Sequence, residues 1–410
     1  MKRPAVVIAA SALVAVFPAG CGPMSKSSRD KPGAGAVIYE ATIITMDPAR
    51  PSATAVAVKD GKVLAVGDID DLVEGYSGAM VDESFARLTI LPGFIDVSAS
   101  VIDGARPAAA GVTSVADAAW RGEADKGAIA ARWGSPERSG YGLYLVADET
   151  AFGAAYGDEA PGMIGDLASG AVPAPAPVLP FAAFAAASCS ENAADAPASE
   201  LAAAFAPYWT ASLGPRIRAD NEAARARVFA ALEALLRGGA GRRAIIEVAG
   251  PIGADELARA AMLGAGVIAS DDELLEGCAA AQPVKDDEVD DAEAAGSEVS
   301  EPVAPLTGRI ALSSRALGLV PLRAAGARIE AGEGLRLSPW EALEAITIDA
   351  AFALGREAEI GSIAPGKRAD FTVLYGNPLA TAAEEWGAIR IWGTIRGGEL
   401  RPQAAVAGSE

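Results

Sequence analysis

Along residues 36–90 apolar and polar positions alternate in short runs. A period of two predicts strands with one buried face. Val37-Ile38-Tyr39 and Ile43-Ile44 are rich in β-formers, and the runs 55–59 and 62–66 flank Asp60-Gly61. That dipeptide is a strong signal for a two-residue hairpin turn. From residue 91 the pattern changes, and short apolar runs alternate with alanine-rich helical stretches. Such alternation predicts repeated βα units. The apolar runs are 89–95, 113–115, 142–146, 178–181, 209–213, 245–248, 267–269 and 310–312. Eight of them suit a closed barrel. Residues 220–237 predict an amphipathic helix capped by Asp220 and stopped by Gly238-Gly239. Ser338-Pro339-Trp340-Glu341 opens another helix, through about Leu354, and strand character returns at 370–375 and 388–395.

The chain starts differently. Lys2 and Arg3 precede an apolar run over 5–17. That is shorter than the roughly 20 residues a membrane span needs. A basic start, a short apolar stretch and small residues predict a secretory signal over 1–20. Phe17-Pro18-Ala19-Gly20-Cys21 resembles a bacterial lipobox. The resemblance implies lipidation of Cys21 and a membrane partner reached through that lipid. The expected location is the bacterial cell envelope, on the periplasmic side of the outer membrane where the cell has one. Residues 21–35, rich in Ser, Lys, Gly and Pro, then read as a flexible tether.

Composition narrows the chemistry. Apolar residues make up 51% of 410, enough for a sizeable core. Acids outnumber bases by 54 to 34, for a net charge of −20. Such a surface repels phosphate backbones, so no nucleic-acid partner is expected. Residues 284–301 concentrate this charge and predict a solvated acidic loop. There is no histidine. That removes the commonest general base, the Ser/His and Cys/His dyads and every histidine-liganded metal site. Of the three cysteines, Cys189 and Cys278 remain beside Cys21, and an oxidising compartment makes them candidates for a disulfide.

Four ordered motifs then carry a resemblance. They are 60–67 (Asp-Gly-Lys-Val-Leu-Ala-Val-Gly), 91–96 (Leu-Pro-Gly-Phe-Ile-Asp), 346–351 (Ile-Thr-Ile-Asp-Ala-Ala) and 361–371, from Gly361 to Phe371. Together they resemble the amidohydrolase superfamily, in the branch of amidohydrolase family 3 and the N-acyl amino-acid hydrolases. The resemblance implies an α/β fold: a TIM-like (β/α)8 barrel over 91–355 with a small β-sandwich built from 36–90 and 356–401, then a tail over 402–410. It also implies hydrolysis of carbon–nitrogen bonds by water activated on zinc or another divalent metal.

The family's ligand positions are altered here. Its first barrel strand ends Asp-x-His-x-His, where this chain has Asp96-Val97-Ser98-Ala99-Ser100. Its Glu-His-Ala strand reads Glu247-Val248-Ala249, and its Gly-Ser-Asp strand end reads Ser313-Ser314-Arg315. Serine is a poor metal ligand, and a guanidinium carries the wrong charge. Ser98, Ser100, Val248 and Arg315 thus mark a former metal site, and no metal cofactor is expected. Acids at strand ends give a candidate pocket of Asp96, Asp117, Asp148, Glu247 and Asp271, with Arg315 in the former metal space, paired with an acid such as Asp96 or Glu247 or available to an anionic ligand.

Three readings stay open. One is a metal-free envelope lipoprotein that binds a small anionic ligand or a protein partner. Another is a hydrolase of carbon–nitrogen (non-peptide) bonds with a non-standard site. The third is a scaffold without a small-molecule role.

Overall fold

The computed structural model describes residues 32–99, 107–122, 141–187, 197–219, 221–236, 243–249, 252–270, 307–313, 321–329 and 335–403. The signal, residues 21–31 of the tether, Gly238-Gly239 and the acidic loop lie outside the described residues.

Strands from both ends of the chain share one sheet. From the N-terminal side come β1 (Val37–Ile44), β2 (Ser52–Lys59), β3 (Lys62–Gly67), β4 (Met80–Asp82) and β5 (Thr89–Pro92), with helix α1 (Ile69–Gly75) after β3. From the C-terminal side come β14 (Phe371–Leu374), β15 (Ile391–Arg396) and β16 (Glu399–Pro402). Their order is β16-β15-β14-β5-β1-β2-β3, with β4 beside β1. The Asp60-Gly61 turn has both residues at positive φ, 50° and 74°, the geometry a tight hairpin requires. The sheet curls, so that the Gly61 carbonyl accepts from Ala369 N (2.9 Å). Tyr39, Val56, Val58, Phe85, Ile90, Phe371, Val373 and Ile395 fill its interior.

The second sheet is the barrel, which neighbouring parallel strands build in chain order. It runs through β6 (Phe94–Ala99), β7 (Val112–Trp120), β8 (Gly142–Asp148), β9 (Val178–Ala187), β10 (Gly214–Ala219), β11 (Ile245–Ala249), β12 (Gly266–Ser270) and β13 (Ile310–Ser313). β13 returns to pack beside β6. Strand alternation sorts the side chains. Ile95, Val97, Ala116, Tyr144, Val146, Leu179, Phe181, Ile245, Ile268 and Ala311 form the inner layer. Their strand neighbours, such as Val115, Leu145, Ile217, Ile246, Val248 and Leu312, face outward. There they pack on α2 (Glu149–Tyr156), α3 (Ala160–Ser169), α4 (Ala198–Thr210), α5 (Glu222–Leu236), α6 (Ala254–Met262) and α7 (Pro321–Ile329). Helix α8 (Pro339–Ala345) leads to α9 (Ile348–Ala353), which floors the N-terminal end of the barrel through Ala350 and Ala351.

The structure corrects several expectations. The run 89–95 is two strands, because β5 pairs in the first sheet and β6 starts the barrel after Gly93. The run 209–213 is not a strand: Trp209 and Thr210 close helix α4, and the chain turns at Ser212 (φ 68°) into β10. β10 escapes a hydropathy search because arginines occupy its inward positions, Arg216 and Arg218. Asn221 caps α5, its Oδ1 accepting from Ala224 N at 2.8 Å, whereas Asp220 lies outside the described residues. The helix predicted from 338 to 354 breaks at Ile346-Thr347, where Ile95 N donates to the Ile346 carbonyl (3.0 Å). Among the described residues, no helix is long and apolar enough to cross a membrane.

Candidate functional site

In βα barrels, chemistry sits at the C-terminal ends of the strands. At that end β6 carries a bulge between Asp96 and Ala99 relative to β7. The Asp96 carboxylate holds it, with Oδ1 accepting from Ser98 N at 3.2 Å. The extra residue lets Ser98 reach across the barrel, where its Oγ donates to Glu247 Oε1 at 3.0 Å. Glu247 lies on β11 with the inward parity of Ile245.

The other oxygen of Glu247 is also taken. From the adjacent strand β10, Arg216 Nη2 stands 3.1 Å from Glu247 Oε2, and Arg216 Nε 3.4 Å from the same atom. The side chains are 2% and 5% exposed. Arg216 pairs in register with Ile245 and Arg218 with Glu247, so both arginines share the inward face of β10. The Arg216 Nη1 arm is buried without a hydrogen-bond partner. The site is thus a buried ion pair with a serine hydroxyl on its far oxygen. Its chemical capacity is charge–charge and hydrogen-bond recognition.

The sequence-predicted residues divide. Asp96, Ser98 and Glu247 come together as one hydrogen-bonded chain. Asp117 is buried at the end of β7 in register with Ala99. Val248 faces the outer core rather than the interior, because a strand alternates and Glu247 takes the inward place. Asp148 serves as a helix cap: its Oδ1 accepts from Ala151 N (2.9 Å) at the start of α2. Beside it, burial and the Glu149 carboxylate push the Tyr208 phenol well above its usual range, and its hydroxyl donates to Glu149 Oε1 at 3.2 Å. Ser100, Asp271, Arg315, Cys21, Cys189 and Cys278 lie outside the described residues, as does any pairing of Arg315 with Asp96 or Glu247. The cation seen at Glu247 is Arg216, which sequence reasoning missed. The Arg-Ile-Arg alternation at 216–218 is the signal that could have found it.

A second feature lies at the opposite, N-terminal end of the barrel. A cavity of about 400 Å³ is lined by Ala261, Gly264, Arg309, Glu344, Asp349 and Phe352, among others. Asp349 accepts from Arg309 Nη1 (2.9 Å) and from Ile310 N (3.3 Å). Burial pushes its carboxyl up to about 7, Glu344 adds to the rise, and Arg309 and Ile310 N oppose it. Ile310 opens β13, so this carboxyl ties the floor helix to the last barrel strand.

Comparison with known proteins agrees with the architecture. In the curated Imidazolonepropionase of Geobacillus thermodenitrificans (strain NG80-2), 66 residues are 38% identical, a match spanning 16% of each chain. A triazine hydrolase variant superposes with a TM-score of 0.58 at 14% identity, over 90% of this chain and 96% of that one. An adenosine deaminase from Xanthomonas campestris, solved with bound zinc, gives 0.54 at 15%, over 90% and 93%. At such identities the likeness is one of fold: a parallel barrel with a companion sheet. The model described as "Amidohydrolase family" matches residues 195–401, half of the chain. By that match and this architecture, the chain belongs to the amidohydrolase family.

Proposed function

We propose that this protein is a cell-envelope lipoprotein whose amidohydrolase domain recognises a small anionic ligand or an envelope protein and does not catalyse metal-dependent hydrolysis. One observation carries the reading: both oxygens of Glu247 are engaged, one by Ser98 and the other by Arg216.

The family norm is zinc or another divalent ion, and this donor set does not suit it. Ser98 is a neutral hydroxyl whose proton points at Glu247, so its position favours donation over coordination. A dication seated on Glu247 about 4 Å from the guanidinium would meet a repulsion on the order of 8 kcal/mol at an effective dielectric of 20. Among the described residues no group of three Asp, Glu or Cys side chains converges to offset that.

The test is a panel of acylated amino acids and cyclic amides, incubated with the purified mature protein with and without zinc or manganese. The reading expects no turnover, and expects a carboxylate compound or a captured envelope protein to raise the melting temperature. Chelator-sensitive turnover of any panel member overturns it in favour of a carbon–nitrogen hydrolase. The anchor is tested separately. A fatty-acid analogue should label the wild type and spare Cys21→Ala, and equal labelling of both rejects the lipid anchor.

A further inference from the structure

We infer that the Arg216 guanidinium is the barrel's built-in cation, the permanent counter-charge that a metal supplies in metal-dependent relatives. The inference rests on the metal-free reading of this site and names the residue that makes it work.

Glu247 sits on the inward face of β11, nearly closed to solvent. A carboxylate there needs a positive partner, because an unpaired buried charge is strongly disfavoured. The family's answer is a metal held by histidines, and this chain has no histidine. Arg216 lies on the neighbouring strand, two register pairs nearer the floor, and its side chain is long enough to reach Oε2. Two of its three nitrogens aim at that single oxygen, and the third makes no hydrogen bond. The guanidinium is therefore not shared with a second described carboxylate. A guanidinium stays charged at every physiological pH, so the seat cannot empty as a metal site can. Ser98, at a former ligand position, has become a donor to the same carboxylate instead of a ligand to an ion.

The pairing makes the two charges interdependent. Arg216→Met keeps the length of the side chain and removes the charge. It should lower the melting temperature by several degrees. Arg216→Met/Glu247→Gln removes both charges and should recover at least half of that loss, while Arg216→Lys should retain most of the wild-type value. Manganese(II) alone at millimolar concentration should leave the melting temperature of the wild type unmoved, because the described side chains offer no set of ligands for it. If Arg216→Met yields no folded protein, recovery of soluble, cooperatively melting protein in the double variant supports the inference equally.

A double variant no better than the single one overturns the inference while leaving the metal-free reading intact. A wild type whose melting temperature rises with manganese overturns both.

Discussion

Arg216 and Glu247 meet on adjacent strands inside the barrel, 3.1 Å apart, with almost none of either side chain reaching solvent. A buried pair of this kind contributes little net stability when intact but is costly to break from one side. Its neighbours therefore inherit a strong requirement to keep satisfying the charges. Ser98 is the described neighbour on the far oxygen of the carboxylate, at 3.0 Å. Ser98→Ala should lower the unfolding free energy by about 1.5–3 kcal/mol, the range for a hydrogen bond to a charged group. Urea denaturation reads this directly. An unchanged midpoint would mean the hydroxyl is not needed by Glu247.

Asp148 provides a contrast among the strand-end acids. Its carboxylate caps α2 through Ala151 N. Asp148→Ala should cost about 1 kcal/mol, and Asp148→Ser should restore most of it, because serine also caps well. Ligand-induced shifts in melting temperature should be the same in both variants as in the wild type. A selective loss of ligand response in Asp148→Ser would give this residue a binding role beside its cap.

The barrel floor carries the pH dependence. The Asp349 carboxyl is raised from 3.8 to about 7 in the folded protein, chiefly by burial. The folded state therefore holds a proton between those values that the unfolded state releases. Its contribution to stability is complete below about 3.8 and is lost as pH rises to about 7. Each pH unit inside that window costs up to about tenfold in the folding constant from this group. Asp349→Asn removes the titration, so its stability relative to wild type should improve steadily from pH 5 to 7 and then level off. A constant difference across that range would contradict the assignment.

Gly361 joins the floor to the returning strand. Its φ is +87°, and a Cβ there would lie 2.6 Å from Ala351 Cβ and 2.9 Å from Ile348 Cα. Left-handed backbone costs about 1–2 kcal/mol for an L-residue, and the clash with α9 adds to it. Gly361→Ala should therefore destabilise by at least about 2 kcal/mol, read by thermal or urea unfolding. A loss within about 0.5 kcal/mol would show that the loop can move away from α9.

Much of the scaffold was legible because alternation and turn chemistry are local. Asp60-Gly61 announced its hairpin, and the runs near 142, 178, 245, 267 and 310 are barrel strands. β10 was misplaced for a physical reason. Its inward positions hold arginines, of which Arg216 is made tolerable by a carboxylate on the next strand, and no single-strand pattern contains that partner. The same non-local cause hid Arg216 from the candidate site, although Asp96, Ser98 and Glu247 were all identified. Val248 stands at a ligand position of its motif, but strand parity turns it outward and gives Glu247 the inward place. Asp148 was indistinguishable from a pocket acid in sequence, because a helix cap and a strand-end carboxylate occupy the same position.

The central claim is that the barrel operates on a protein-borne cation. The most direct measurement is elemental metal analysis of the purified, dialysed wild-type domain, before and after incubation with equimolar zinc and renewed dialysis. The account predicts well below one tenth of an equivalent of any transition metal in both samples. Close to one equivalent of retained zinc, removed only by a chelator and accompanied by a fall in melting temperature, would contradict it.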